Sequence, residues 1–327
     1  MKVLVVNQSE VTELLPLREC MDAMEAAFKC VSRGDAIVPL RQVLWLPEKV
    51  GALGMMPTYM GDIETMGLKV VSVMSGNHGT EYDSHQGVVM LFEIEHGCLL
   101  SIIDASEITA IRTAATTGVA TRLLAREDAG NLAILGSGVQ ARMHLEAMLI
   151  TRKIRRVRVW SRTAENAYRF AEHESARHGI EVEITESAEA AVREADIICT
   201  CTSAREPVLH GAWLSDGTHV NAVGSSVAFT RELDTEAVVK SRLFVDKRES
   251  TLNEAGDFLF PYKEGAIGDD HIQGEIGDIL LDKIPGRETD EEITLFKSLG
   301  IAVEDLAAAH LVYTKATEKG MGTFIKL

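Results

Sequence analysis

The chain opens on the apolar run KVLVV, a short strand, and continues into a segment where Leu17, Met21, Met24, Phe28 and Val31 recur at spacings of three and four. That period lays an apolar stripe along one face of a helix, and Gly34 stands where a left-handed residue closes such a helix. From Ile37 to Asp104 the pattern shifts to VPLRQVLWLP, GALGMMPTYM, GLKVVSVMS, GVVMLFEIE and CLLSIID, short apolar or branched runs divided by glycine, asparagine and charged turns. These runs predict consecutive strands, and connections so short favour antiparallel or mixed pairing. A helix rich in small residues, TAIRTAATTGVA, is expected from about Ser106 to Leu124.

After Arg126 the rhythm changes, and apolar strands begin to alternate with helical segments. NLAILG leads into a helix from Val139 to about Ile150, RVRVWS into one from Thr163 to about His178, and EVEIT into one near Ala188 to Arg193; DIICTCT, HVNAVG and SRLFVD complete the series. Strand–helix alternation of this kind builds a parallel sheet covered on both faces. The expected fold is therefore α/β: a Rossmann-type doubly wound parallel sheet over 125–299 and an α+β domain over 1–124 plus 300–327. The tail helix, Gly300 to Gly320, is assigned to the α+β domain because it lies beyond the last strand of the series. Its Glu304 and Asp305 fall in the first turn, where acidic residues suit the positive end of the helix dipole.

A length of 327 residues with 46% hydrophobic content is enough for two full cores. The balance of 33 basic against 49 acidic residues, a formal −16, repels nucleic-acid phosphates and anionic lipid alike. No run approaches the roughly 18 apolar residues of a spanning helix, and MKVLVVNQSE lacks the apolar core of a signal peptide, so a cytoplasmic protein without membrane partners is expected. The five cysteines include no C-x-x-C pair, and Cys199 and Cys201 read as core thiols within a strand rather than metal ligands.

The sharpest local motif is LGSGVQA. Gly136, Gly138 and Ala141 fit the dinucleotide fingerprint where a strand gives way to a helix that begins at Val139 and Gln140. There the glycines allow a tight turn and close approach of a pyrophosphate to the helix N-terminus. The second strand ends in Ser161, Arg162 and Thr163, with no carboxylate to hold the ribose hydroxyls of NAD. A cation with two hydroxyls suits a phosphate through charge-assisted hydrogen bonds, which favours NADPH while leaving NADH possible. The other reading of Arg162 is an ordinary solvated side chain.

Three cations occupy costly positions. Lys69 interrupts the apolar strand GLKVVSV, Arg112 lies on the stripe Ile108, Arg112, Ala115, Val119, and Arg41 sits in VPLRQVLW. A buried charge needs a partner. If the three converge, an anionic ligand such as a carboxylate would neutralise them, an arginine gripping it with two parallel bonds. Separate salt bridges to protein carboxylates, or stems snorkelling to water, are the alternatives.

The segments VPLRQV, GMMPTY, GLKVVS, ITAIRTAATTGVAT, LAILGSGVQA, VRVWSRTAENA, ADIICTCTSAREPVL, HVNAVGSS, RELD, EAGD and TLFKSLGIAVEDLAAA resemble the ornithine cyclodeaminase/mu-crystallin family nearly end to end. The resemblance implies that Arg41, Lys69 and Arg112 hold a substrate carboxylate. It also implies that Ser84, His85, Gln86 and Arg112 approach the cofactor, that Thr202, Val223 and Ser298 line its nicotinamide half, and that the first domain's sheet builds a homodimer. Cyclodeaminases of the family carry an aspartate base where this chain has Ser226. A serine hydroxyl needs its own base before it can accept a proton, so the chain resembles instead the family's ketimine reductase branch, which carries serine there. The implied activity is NAD(P)H-dependent reduction of a cyclic 2-imino acid, pyrroline-2-carboxylate or piperideine-2-carboxylate, with Ser226 near the substrate. Lys69 is the candidate proton donor, or a purely electrostatic one. Val227, Phe229 and Phe258 are read as the pocket wall that sets ring size. A cyclodeaminase-type lyase, an amino-acid dehydrogenase and an NADPH-dependent binding protein are the competing readings.

Overall fold

The computed structural model describes residues 2–77 and 80–327, which fall into two compact units, Met1–Arg112 with Ile301–Leu327, and Thr113–Gly300.

The first unit begins with β1 (Lys2–Val6), α1 (Gln8–Leu14) and α2 (Leu17–Arg33). Asn7 and Glu10 form a reciprocal capping box at the start of α1, and Gly34 ends α2 in the left-handed conformation. Strands β2 (Ala36–Ile37), β3 (Gln42–Trp45), β4 (Ala52–Met60), β5 (Thr65–Val73), β6 (His85–Glu93) and β7 (Leu99–Asp104) follow. They pair antiparallel in a mixed eight-stranded sheet, in which β1 lies parallel to β7. Helix α3 (Ala105–Leu124) comes next in the chain, and the division between the units falls inside it, after Arg112. The C-terminal half of α3 is tied into the second unit, because Arg152 donates to the carbonyls of Thr121, Arg122 and Ala125 at its end.

The second unit carries the parallel sheet. Its elements are β8 (Asn131–Leu135), α4 (Val139–Thr151), β9 (Arg156–Trp160), α5 (Ala164–His178), β10 (Val182–Ile184), α6 (Ala188–Val192), β11 (Ile197–Thr200) and β12 (His219–Ala222). They continue through α7 (Thr235–Val239), β13 (Arg242–Val245), α8 (Arg248–Glu254), α9 (Gly256–Lys263), β14 (Ile272–Glu275), α10 (Ile276–Leu280) and β15 (Thr294–Lys297). The strand order is β10-β9-β8-β11-β12-β15-β13-β14, all neighbours parallel. The series read from the sequence stopped at SRLFVD, so β14 and β15 are additions. TLFK is only four residues long and follows a charged loop, yet all four are buried between β12 and β13.

The chain then returns to the first unit through α11 (Ala302–Lys319), which packs against α2 and across β4, β5 and β6, and ends in β16 (Thr323–Lys326) on β1. Gly67 leaves room for that packing, since a Cβ there would lie 2.6 Å from the Leu306 side chain of α11. Among the described residues no helix is long and apolar enough to cross a membrane.

Candidate active site

In the first unit, close packing of α11 on β5 decides what happens to the cations. Thr65, Gly67 and Lys69 alternate onto the face of β5 that is buried, so Lys69 is directed into the interior and is only 3% exposed. Its Nζ donates to Asp305 Oδ1 at 2.9 Å. Arg112 Nε donates to the same oxygen at 2.9 Å, while its Nη1 reaches Glu304 Oε2 at 2.7 Å. Glu304 also accepts from the backbone N–H of Ile301 and so caps α11. Lys69 and Arg112 are thus each ion-paired to protein carboxylates, so their charges do not depend on an external anion for a partner. The spacing of Glu304 and Asp305 marks them only as dipole partners, because nothing in it shows which cations α11 meets when it folds back.

Burial pushes the Lys69 ammonium down to about 8, against the opposing pull of Asp305 and with the positive charges of Arg112 and Arg41 adding to the fall. Burial would raise the Asp305 carboxyl, but Arg112 and Lys69 overrule it and hold the group below its ordinary value. Burial likewise opposes the Arg112 charge, and Asp305 and Glu304 outweigh it, so the guanidinium keeps its proton more firmly than usual. The Cys20 thiol, buried beside the cluster, is pushed up by burial. Arg41 is half-buried just before β3 rather than inside a strand, close enough for its charge to act on Lys69. The three cations are thus brought together in one unit.

Ser84, His85 and Gln86 stand at the start of β6, where His85 pairs with Val73. Ser84 Oγ lies 3.1 Å from His85 Nδ1, Ser106 Oγ donates to the His85 carbonyl, and Gln86 Nε2 donates to the Asp83 carbonyl. His85 and Gln86 are exposed and Ser84 is half-buried.

In the second unit the residues expected to hold a dinucleotide lie at the carboxyl ends of five strands: Gly136 after β8, Ser161 after β9, Thr202 beyond β11, Val223 after β12 and Ser298 after β15. That edge is where doubly wound sheets bind ligands. Gly136 has φ +121°, and a Cβ there would strike the Cys201 carbonyl at 2.4 Å. A Cβ on Gly138, by contrast, would meet nothing within 4 Å. The protein itself does not require glycine at 138, so the open space above the start of α4 fits a cofactor pyrophosphate. No side chain caps α4, whose first residues are Val139 and Gln140. Ser137 Oγ donates to Ser161 Oγ at 2.9 Å, joining the two loops, and Arg162 and Thr163 are exposed beside them. Thr163 begins α5 without spending its hydroxyl as a cap. Ser298 is 2% exposed and its hydroxyl has no hydrogen-bond partner among the described residues.

Ser226 and Val227 are half-buried and Phe229 is exposed in the loop after β12. Phe258 is corrected from a pocket wall to core, since it is 1% exposed, belongs to the apolar cluster beneath the sheet and stacks on Tyr262. Sequence reasoning passed over three charged residues behind this edge. Glu232, wholly buried, accepts from Thr200 Oγ1, Thr202 N, Thr202 Oγ1 and Gly224 N, each at 2.7 Å. Asp257 Oδ1 accepts from the Glu232 and Leu233 N–H groups, and its Oδ2 pairs with Lys297 Nζ at 2.9 Å. RELD, EAGD and TLFKSLG carry these residues, but their local patterns do not show that the three charges meet.

The parallel sheet with its glycine turn is a Rossmann-type unit, and the other unit gathers Lys69 and Arg112 on the buried carboxylates of Asp305 and Glu304. The chain belongs to the ornithine cyclodeaminase/mu-crystallin family, whose model matches residues 1–320. It is 37% identical over 325 residues to the Delta(1)-pyrroline-2-carboxylate reductase of Bacillus cereus, covering 99% of this chain and 100% of that protein. It is 41% identical over 293 residues to the ketimine reductase mu-crystallin of Mus musculus, covering 90% of each. Among solved structures, Thermococcus litoralis Delta(1)-pyrroline-2-carboxylate reductase, in complex with NADH and L-proline, matches with a TM-score of 0.96 and 41% identity over 99% of this chain and 100% of that one.

Proposed function

We propose that this protein is an NAD(P)H-dependent reductase of cyclic ketimine 2-carboxylates, converting pyrroline-2-carboxylate or piperideine-2-carboxylate to L-proline or L-pipecolate. The observation that carries the reading is the pairing of Lys69 and Arg112 on Asp305, with Arg41 near enough for its charge to act on Lys69, in a chain whose parallel sheet bears the dinucleotide turn. The names of the Bacillus, mouse and Thermococcus relatives support it.

When bound, the dihydronicotinamide supplies a hydride to the imine carbon. The protein's part is to orient the substrate and move a proton. In this reading Arg41 and Arg112 clamp the carboxylate, and Lys69, held near neutrality by burial, protonates the imine nitrogen as it takes the electron pair. Asp305 holds Lys69 and Arg112 in one geometry. Gly136, Gly138, Val139 and Gln140 take the pyrophosphate; Thr202, Val223 and Ser298 take the nicotinamide half, with Ser84, His85, Gln86 and Arg112 assigned to the cofactor as well. Ser161, Arg162 and Thr163 grip a 2′-phosphate, so NADPH is preferred and NADH accepted. Ser226 stands where a cyclodeaminase carries its base and is assigned to the substrate. The first unit's sheet is proposed to form the homodimer, because Val43, Leu44 and Trp45 of β3 are exposed apolar residues on a short strand.

The test is the loss of NADPH or NADH absorbance with each cyclic imine, with pyruvate plus ammonium or methylamine, and with ornithine plus catalytic NAD. Turnover of the cyclic imines alone is expected. Ammonia release from ornithine, or reductive amination of pyruvate as the main activity, would overturn the proposal, as would NADPH binding without any turnover.

A further inference from the structure

Resting on the cofactor assignment above, one more set of residues acquires a role. Glu232, Asp257 and Lys297 lie wholly or almost wholly buried behind the carboxyl ends of β11, β12 and β15, and their bonds run to the loops that leave those ends. Glu232 Oε1 takes the backbone N–H and hydroxyl of Thr202, and Oε2 takes the N–H of Gly224 and the hydroxyl of Thr200. Lys297 Nζ donates to the carbonyls of Ser225, at 2.5 Å, and Ala222, at 3.2 Å. Asp257 neutralises Lys297 and fixes the backbone of Glu232 and Leu233. Asp246, at the end of β13, accepts from the N–H groups of Leu299 and Gly300 and so anchors the far side of the Ser298 turn. The loops after β11 and β12 are thereby fastened to one buried charged group, while the turn after β15 has Asp246 as its own anchor.

We infer that Glu232 and the Lys297–Asp257 pair are positioning residues that hold Thr202, Val223 and Ser226 in the arrangement needed for hydride transfer. Fastening by full charges suits that task, because bonds to ionised groups are about twice as strong as neutral ones and a buried charge left without its partner is costly. The shape of the acceptor is also specific. Each Glu232 oxygen receives an obligatory backbone N–H, from Thr202 and from Gly224. An amide of the same size would therefore turn its NH2 against one of those donors.

Glu232→Gln tests the assignment, with NADPH and ADP-ribose as binding probes; ADP-ribose lacks the nicotinamide. Binding of both by the unaltered protein establishes the cofactor site, and absence of both would refute the cofactor assignment itself. The variant is expected to keep ADP-ribose affinity within about twofold and to lose about tenfold or more in kcat, with the KM of the imine little changed. Equal losses of ADP-ribose binding and kcat would mark a merely structural role and overturn the inference, and so would an unaltered kcat. Thr200→Val, isosteric and removing one of the four bonds, covers the case in which Glu232→Gln fails to fold. A drop of about two- to fivefold in kcat at constant ADP-ribose affinity is expected, and no change would overturn the inference. Lys297→Arg should recover part of the kcat that Lys297→Met loses, because it keeps the charge beside Asp257; equal losses in the two would count against positioning by charge.

Discussion

Lys69 and Asp305, separated by 236 positions in the chain, form an ion pair of 2.9 Å in the interior of the first unit, with Arg112 on the same carboxylate oxygen. One carboxylate thus fixes a lysine on a strand and an arginine on a helix. Removing it leaves two buried cations with fewer partners. Asp305→Asn is expected to cost about 3–5 kcal/mol of stability, the usual effect of breaking a buried pair from one side. Urea unfolding of the variant against the parent checks this, and a loss under about 1 kcal/mol would contradict it.

Arg41 and Arg112 should separate in their phenotypes. Arg41 is half-buried before β3, whereas Arg112 is locked between Glu304 and Asp305. Arg41→Ala is expected to raise the imine KM by about ten- to a hundredfold, the equivalent of one charged hydrogen bond, with a smaller loss of thermal midpoint than at the buried Arg112. Arg112→Ala should raise KM similarly and lower the midpoint further, because it strands two buried carboxylates. Steady-state kinetics with parallel melting curves distinguish the two.

The Lys69 ammonium, brought down to about 8 by burial against the pull of Asp305, is protonated at lower pH and neutral above. If it supplies the proton, kcat falls as pH rises through about 8, and Lys69→Met loses both rate and that limb. A limb that persists in Lys69→Met would belong to the substrate and remove Lys69 from proton transfer.

Arg162→Ala is expected to raise the KM for NADPH by about tenfold or more and that for NADH by less than about twofold, since only the phosphate of NADPH needs the guanidinium. Equal effects on both cofactors would withdraw the 2′-phosphate assignment.

Two histidines of the second unit make stability depend on acid. Burial lowers His219 from 6.5 to about 3, with Arg287 adding to the fall and the bond to Asn221 opposing it; burial lowers His144 from 6.5 to about 4 against its bond to the Gln140 carbonyl. Both rings stay neutral when folded and gain protons near 6.5 when unfolded, so the unfolded chain binds more protons below that pH. Their contribution is present above pH 6.5 and is lost as pH falls toward 4, and for His219 toward 3. Urea midpoints measured across this interval should fall steadily; a flat profile would contradict the assignment.

The glycine turn, the strand–helix alternation from β8 to β12 and the apolar stripe of α2 were all legible because they are local. A period of two or of three to four, a glycine at a strand end and a branched run each act over a few residues and stand written side by side in the chain. The three cations were legible as anomalies, since a charge inside an apolar period announces a need for a partner. The identity of the partner was not. Asp305 and Glu304 reach Lys69 and Arg112 only because α11 returns across the first sheet, drawn close at Gly67, and β15 slips between β12 and β13 only once the rest of the parallel sheet exists to bury it. The same holds for Glu232, Asp257 and Lys297. Sequence fixes which charges cannot stay solitary, because desolvation acts on each residue where it stands; tertiary packing alone decides which of them meet, because pairing depends on how distant elements stack.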